Sequence, residues 1–130
     1  FLGIPMVICH KTRQQANECA DSRVIGDGTD KDVLLGDDMF DTAGTITKAA
    51  DLMRENGARS VRAMVSHAVM SDPATMRVDQ SALIEMIFTD SIPYTKQSEK
   101  VTVLSVADMF AEAIRRVSHY ESISSLYTIK

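Results

Sequence analysis

An apolar run that stops abruptly in acids and passes straight into a small-residue turn constrains this chain more than any other feature. Val33-Leu34-Leu35-Gly36 is followed by Asp37-Asp38-Met39-Phe40-Asp41 and then by Thr42-Ala43-Gly44-Thr45-Ile46. The aliphatic run predicts a buried strand over residues 31–38. From residue 45 the apolar positions Ile46, Ala49, Ala50 and Met53 recur at i, i+3, i+4 and i+7, one face of a helix with a period of about 3.6 residues. That helix is expected over residues 45–56, with Gly57 as its C′ stop, because glycine takes the left-handed conformation there without a steric penalty. A strand feeding a helix through a short turn is one unit of an α/β fold.

The rest of the chain repeats the alternation. Ile4-Pro5-Met6-Val7-Ile8-Cys9 predicts a buried strand, and residues 10–22, mostly polar, a long mobile loop. Val24-Ile25-Gly26-Asp27-Gly28 predicts a short strand entering a turn, and residues 61–66, 83–89 and 101–104 predict further strands. Ser71 is the expected N-cap of a short helix with Pro73 in its first turn. Ser105 is expected to cap a helix to residue 118, with an apolar stripe of Val106, Phe110, Ala113, Ile114 and Val117 and with Asp108 in a box-like cap. Residues 122–130 alternate weakly and predict an edge strand. The class is α/β, a mostly parallel sheet flanked by helices. Ligands of such sheets bind beyond the carboxyl ends of the strands, which points to the loops after Cys9, Leu35, Val65 and Phe88.

Composition narrows the function. The 130 residues are 45% hydrophobic, enough for one domain with a core, and the eight methionines read as core filler. A net charge of −4 argues against a dedicated nucleic-acid binder, which needs a basic face to displace counterions from phosphates. No apolar run approaches the ~20 residues that span a bilayer, so no membrane partner is expected. Cys9 and Cys19 make neither a disulfide framework nor a paired metal-ligand spacing, and they suit a reducing cytoplasm. The chain opens at Phe1 inside an apolar segment, and is read as a piece of a longer protein.

Chemistry concentrates in the acidic strand end and the turn. Unpaired amides at a helix N-terminus, with the positive end of the helix dipole, form an anion site. Ala43 and Gly44 allow close approach of a phosphate, and Thr42 and Thr45 add hydroxyl donors. Ionised Asp37 and Asp38 would repel a bare phosphate, so they should face another part of the ligand, as acceptors for vicinal sugar hydroxyls or as holders of a hydrated Mg²⁺. A sugar phosphate satisfies both halves. The bland alternative is that Asp41 caps the helix and that Asp37-Asp38 is a solvated strand end.

Asp37-Asp38-Met39-Phe40-Asp41-Thr42-Ala43-Gly44-Thr45 resembles the ribose-phosphate-binding motif of the type I phosphoribosyltransferase fold, in the form found in ribose-phosphate pyrophosphokinases. Three more segments resemble that family in the same order. Lys11-Thr12-Arg13 is similar to the Lys-x-Arg of its catalytic loop, and Ser66-His67-Ala68-Val69-Met70-Ser71 to its Thr-His-x-x-x-Ser segment. Ala111-Glu112-Ala113-Ile114-Arg115-Arg116-Val117 with Ser122-Ile123-Ser124 is similar to its C-terminal helix and Ser-Val-Ser tail. Ser66, Thr12 and Gly36 depart from the usual residues without removing a functional group of a motif.

The resemblance implies a phosphoribosyltransferase-like domain over residues 1–130, the second of two tandem domains and incomplete at its N-terminal side. It implies transfer of the diphosphoryl group of ATP to the C1 hydroxyl of ribose 5-phosphate, giving phosphoribosyl pyrophosphate and AMP. Lys11 and Arg13 become the catalytic pair; without the resemblance they would be ordinary solvated charges. Asp37, Asp38, Asp41, Thr42, Ala43, Gly44 and Thr45 become the ribose 5-phosphate site, and Ser122 and Ser124 part of an allosteric phosphate or ADP site between subunits. Mg²⁺ is implied, with ligands mainly outside this chain, as are a homo-oligomeric parent and an isolated piece without turnover. The alternatives are a nucleobase phosphoribosyltransferase, which shares the Asp-Asp and Asp-Thr-Ala-Gly-Thr elements, and a non-catalytic regulatory homologue of the synthetase. A signalling receiver domain also places acids after a strand but has no use for the Thr-Ala-Gly-Thr turn.

Overall fold

The computed structural model of the chain describes the backbone of residues 8–11 and 22–25 and the whole of residues 27–127. Strands β3 (Asp32–Phe40), β4 (Ser60–Ala68), β5 (Glu85–Thr89) and β6 (Val101–Leu104) form a parallel sheet in the order β3-β4-β5-β6. Each parallel connection carries the chain back along the sheet, and α1 (Gly44–Glu55) and α2 (Ala74–Gln80) lie in the first two. Helix α3 (Ala107–Ser118) and a 3-10 turn (Ser124–Leu126) follow β6. No helix among the described residues is long and apolar enough to cross a membrane.

Strand alternation sends Val61, Ala63 and Val65 of β4 and Met86 and Phe88 of β5 to one face, where all five are buried. Ile46, Ala50 and Met53 of α1 and Ala74 and Val78 of α2 complete that core. Phe88 stands edge-on to Phe40 and Tyr94, with ring centroids 6.4 and 5.3 Å away. Burying a Phe or Met side chain of this kind contributes about 1.5–3 kcal/mol. The opposite face of the sheet exposes Leu34 and Met64, and carries an Arg62–Glu85 ion pair at 3.2 Å to which Thr102 adds a hydrogen bond.

Helix α1 ends as its sequence predicts. Gly57 has φ 86°, its amide donates to Arg54 O, and the Ala58 amide donates to Met53 O, both at 3.0 Å. This pair of crossed bonds satisfies two carbonyls the helix end would leave open.

Several expectations are corrected. Cys9 belongs to β1 (Ile8–Lys11), which pairs antiparallel with β2 (Ser22–Ile25) in a separate two-stranded sheet. The loop after Cys9 therefore does not leave a carboxyl end of the parallel sheet. The ends of the expected loop over residues 10–22 are strand, residues 12–21 lie outside the described residues, and so do residues 4–7. Ser71 caps nothing with its hydroxyl: its carbonyl accepts the Ala74 amide at 2.8 Å, and Pro73 precedes the helix rather than entering it. Ser105 stands one residue before the N-cap of α3, Val106, and its hydroxyl accepts the Ala107 amide at 3.3 Å. The described part of the tail is a 3-10 turn and not an edge strand, because Arg116 draws it back onto α3 by donating to Ser122 O and Ser125 Oγ.

Candidate phosphate-binding turn

Asp37 and Asp38 lie exposed in the second half of β3, at the carboxyl end of the sheet. The register with β4 is unchanged from Asp37↔Val65 to Met39↔His67, but the next buried position in β4 after Val65 is Ala68. The acids thus occupy the place where strand alternation slips by one. Each carboxylate turns back on the chain: Asp37 Oδ1 accepts the Asp38 amide at 2.9 Å and Asp38 Oδ1 accepts the Met39 amide at 2.8 Å. Each keeps its second oxygen and remaining lone pairs for other donors.

Phe40 anchors the strand end in the core, and the chain then turns over Asp41, Thr42 and Ala43 into α1. Ala43, the N-cap, is buried and holds φ 59°, ψ 2°, the left-handed region. Thr47 fixes it from within the helix, donating both its amide, at 3.1 Å, and its hydroxyl, at 2.8 Å, to Ala43 O. No side chain caps α1 and its first turn contains no acid. The Asp41 carboxylate therefore does not cap the helix, which was the bland alternative for it. The amides of Gly44, Thr45 and Ile46 donate to no acceptor among the described residues. Arg77 of α2 reaches this turn from the side, its Nη1 donating to Thr42 O at 2.9 Å.

The neighbouring strand ends carry polar groups too. His67 Nδ1 and Ser91 Oγ are 2.8 Å apart, and the Thr89 hydroxyl donates to Ser66 O at 2.6 Å. Asp90, just beyond β5, is held below the ordinary carboxylate range by hydrogen bonds from the Ser105 hydroxyl and the Val106 amide, which fasten the β5 loop to the start of α3. Lys96 bridges the 70–72 loop through Met70 O, at 3.0 Å, and Asp72.

Of the remaining sequence-predicted residues, Lys11 is the last of β1 and Arg13 lies outside the described residues. Ser122 and Ser124 follow α3, where Ser122 Oγ accepts the Ser124 amide at 3.2 Å. Among the described residues no three His, Cys, Asp or Glu side chains converge as a metal-holding group.

Residues 6–128 match the phosphoribosyl synthetase-associated domain. The chain belongs to that family. The ribose-phosphate pyrophosphokinase of Porphyromonas gingivalis is 74% identical over 126 residues, 97% of this chain and 40% of the relative. That of Helicobacter pylori (strain J99) is 49% identical over 127 residues, 98% of this chain and 40% of the relative. Among solved structures, phosphoribosylpyrophosphate synthetase from Mycobacterium smegmatis aligns with a TM-score of 0.83 at 40% identity, covering 92% of this chain and 38% of that one. This member of the synthetase-associated family therefore spans about two fifths of the length of the curated relatives it matches. Those relatives are named ribose-phosphate pyrophosphokinases, not nucleobase transferases.

Proposed function

We propose that this chain is the ribose-5-phosphate-holding part of a ribose-phosphate pyrophosphokinase. The observation that carries the reading is the turn at residues 41–46: three unpaired amides at the N-terminus of α1, beside strand-end acids, in a chain of the synthetase-associated family. The amides of Gly44, Thr45 and Ile46, with the hydroxyls of Thr42 and Thr45, take the phosphate of ribose 5-phosphate. The carboxylates of Asp37, Asp38 and Asp41 accept hydrogen bonds from the ribose hydroxyls and orient C1 towards the nucleotide.

In the reaction, the C1 hydroxyl oxygen bonds to the β-phosphorus of ATP. The bond from that phosphorus to the oxygen bridging to the α-phosphate breaks, AMP leaves with the electron pair, and the hydroxyl proton is released. Such a transfer needs positioning and neutralisation of spreading negative charge. Lys11 and Arg13 supply that neutralisation as a pair of cations one residue apart in sequence, a point charge and a planar fork. The family reading adds Mg²⁺ with ligands mainly outside this chain, a homo-oligomeric longer protein in the cytoplasm, and a regulatory phosphate or ADP site that includes Ser122 and Ser124. When bound, the metal supplies further neutralisation of the polyphosphate charge.

Calorimetry of ribose 5-phosphate titrated into this chain tests the reading. Saturable binding is expected, weakened at least about tenfold by Asp37→Ala, the loss of a hydrogen bond from the ligand to a charged acceptor. Absence of binding, or binding unchanged by that substitution, would overturn it.

A further inference from the structure

The arginines that the structure describes divide by what they touch. Arg59, Arg62, Arg115 and Arg116 each pair with a carboxylate. Arg54 and Arg77 pair with none among the described residues and instead clamp backbone carbonyls, one at each end of α1. Arg54 donates to Ala58 O and Arg59 O just past the C-terminus, where the negative end of the helix dipole welcomes a cation. Arg77 does the opposite. Its Nη1 holds Thr42 O at 2.9 Å and lies 3.4 Å from where a Cβ on Gly44 would stand, so its charge sits against the positive end of α1.

Arg77 stands in the last turn of α2, whose dipole favours it, but at the α1 end it is offset only by the Thr42 carbonyl it holds. The first turn of α1 has no acid, and no carboxylate among the described residues comes within ion-pair distance of Arg77. Asp41 is the nearest acid in sequence to the clamped carbonyl, and it too forms no ion pair with Arg77. Cation, dipole and three unpaired amides therefore point their positive potential at one turn.

We propose that Arg77 is a positioning residue of the phosphate turn: by clamping Thr42 O it keeps the amides of residues 44–46 turned outward, and its charge draws the ester phosphate to them. The inference rests on the ribose 5-phosphate reading and extends it to a residue 35 positions away from Thr42, in another helix. The guanidinium suits the task because one of its five N–H donors can hold a carbonyl while the others remain free.

The test is a titration of ribose 5-phosphate into the isotopically labelled chain, following the amide resonances of Gly44, Thr45 and Ile46. The wild-type amides are expected to shift and saturate. Arg77→Ala should raise the half-saturation concentration about tenfold, Arg77→Gln several-fold, and Arg77→Lys should restore most of the affinity. The loss of charge should also flatten the salt dependence of binding in the Gln variant, which a purely structural role would not do. If the Ala variant fails to fold, the Gln variant decides by itself. Wild-type affinity and salt dependence in Arg77→Gln would overturn the role of Arg77 while leaving the ribose 5-phosphate site standing. Wild-type amides that never shift would remove the site and the role together.

Discussion

Ala43 is the residue on which the turn depends. Its left-handed conformation costs an L-residue about 1–2 kcal/mol, and burial plus the two bonds from Thr47 hold it there. With Ala43 fixed, Gly44 becomes the place to probe the turn without breaking it. A Cβ on Gly44 would meet Arg77 Nη1 at 3.4 Å and Thr42 Oγ1 at 3.9 Å, both ordinary contacts, and alanine is the better helix former. Gly44→Ala is therefore expected to leave the melting temperature unchanged or slightly raised. It should weaken ribose 5-phosphate binding about tenfold, because the methyl fills the space between two donors. Thermal melts and calorimetry on the same sample check both halves. The acids and small residues of this site are contiguous in sequence, which is why they were legible there. Arg77 was not: nothing local marks it, and only the packing of α2 beside α1 brings it to Thr42.

Among elements, α1 and β6 were legible because local rules and tertiary packing agree in them. Of its expected apolar stripe α1 buries Ile46, Ala50 and Met53 and half-buries Ala49, with Thr47 buried beside them, and Gly57 stops it. The strands β1 and β2 were expected near their places, at residues 4–9 and from Val24, but their antiparallel pairing was hidden, because ten residues of sequence separate them and nothing local announces it. At the start of β3, Asp32 accepts both Arg59 Nε, at 3.0 Å, and the Ser60 hydroxyl, at 2.6 Å, fastening β3 to the entry of β4. The Arg59 bonds, then the Ser60 bond, hold the Asp32 carboxyl well below its usual range. In α3, Arg115 and then Arg116 lower Glu112 to about 2. Both groups stay ionised in the folded chain at a pH where the unfolded chain protonates them, so the unfolded state binds more protons and acid favours it. Stability from these bonds is complete above the unfolded values of about 4 and is lost as pH falls through the folded ones. Melting temperature is expected to drop between about pH 5 and about pH 2, and Asp32→Asn should make that drop shallower. An unchanged slope in the variant would show that Asp32 is not part of it.

At the scale of the molecule, the parallel order of four strands was foreseeable from the strand–helix alternation, and the covering of only one sheet face by α1 and α2 was not. The amphipathic stripe of α3 reads like a core helix, yet Phe110, Ile114 and Val117 are exposed and α3 buries no residue. Periodicity reports which face is apolar; it does not say what lies against it. Because the chain spans about two fifths of its curated relatives, it is expected to hold ribose 5-phosphate without converting it. Incubation with ATP, Mg²⁺ and ribose 5-phosphate should release no AMP above a protein-free control, and steady release would refute this.

Helices α1 and α3 both have twelve residues, but α1 seals four of them from water and α3 none. Among the described residues, cooperative strength is therefore concentrated in the kernel of α1, β4, α2 and β5, while residues 105–127 are fastened mainly by surface arginines. Local opening should begin at that far end. A protease would pare the chain back from its C-terminal fifth, and the turn at residue 43, seated on the kernel, would be among the last places to lose its shape.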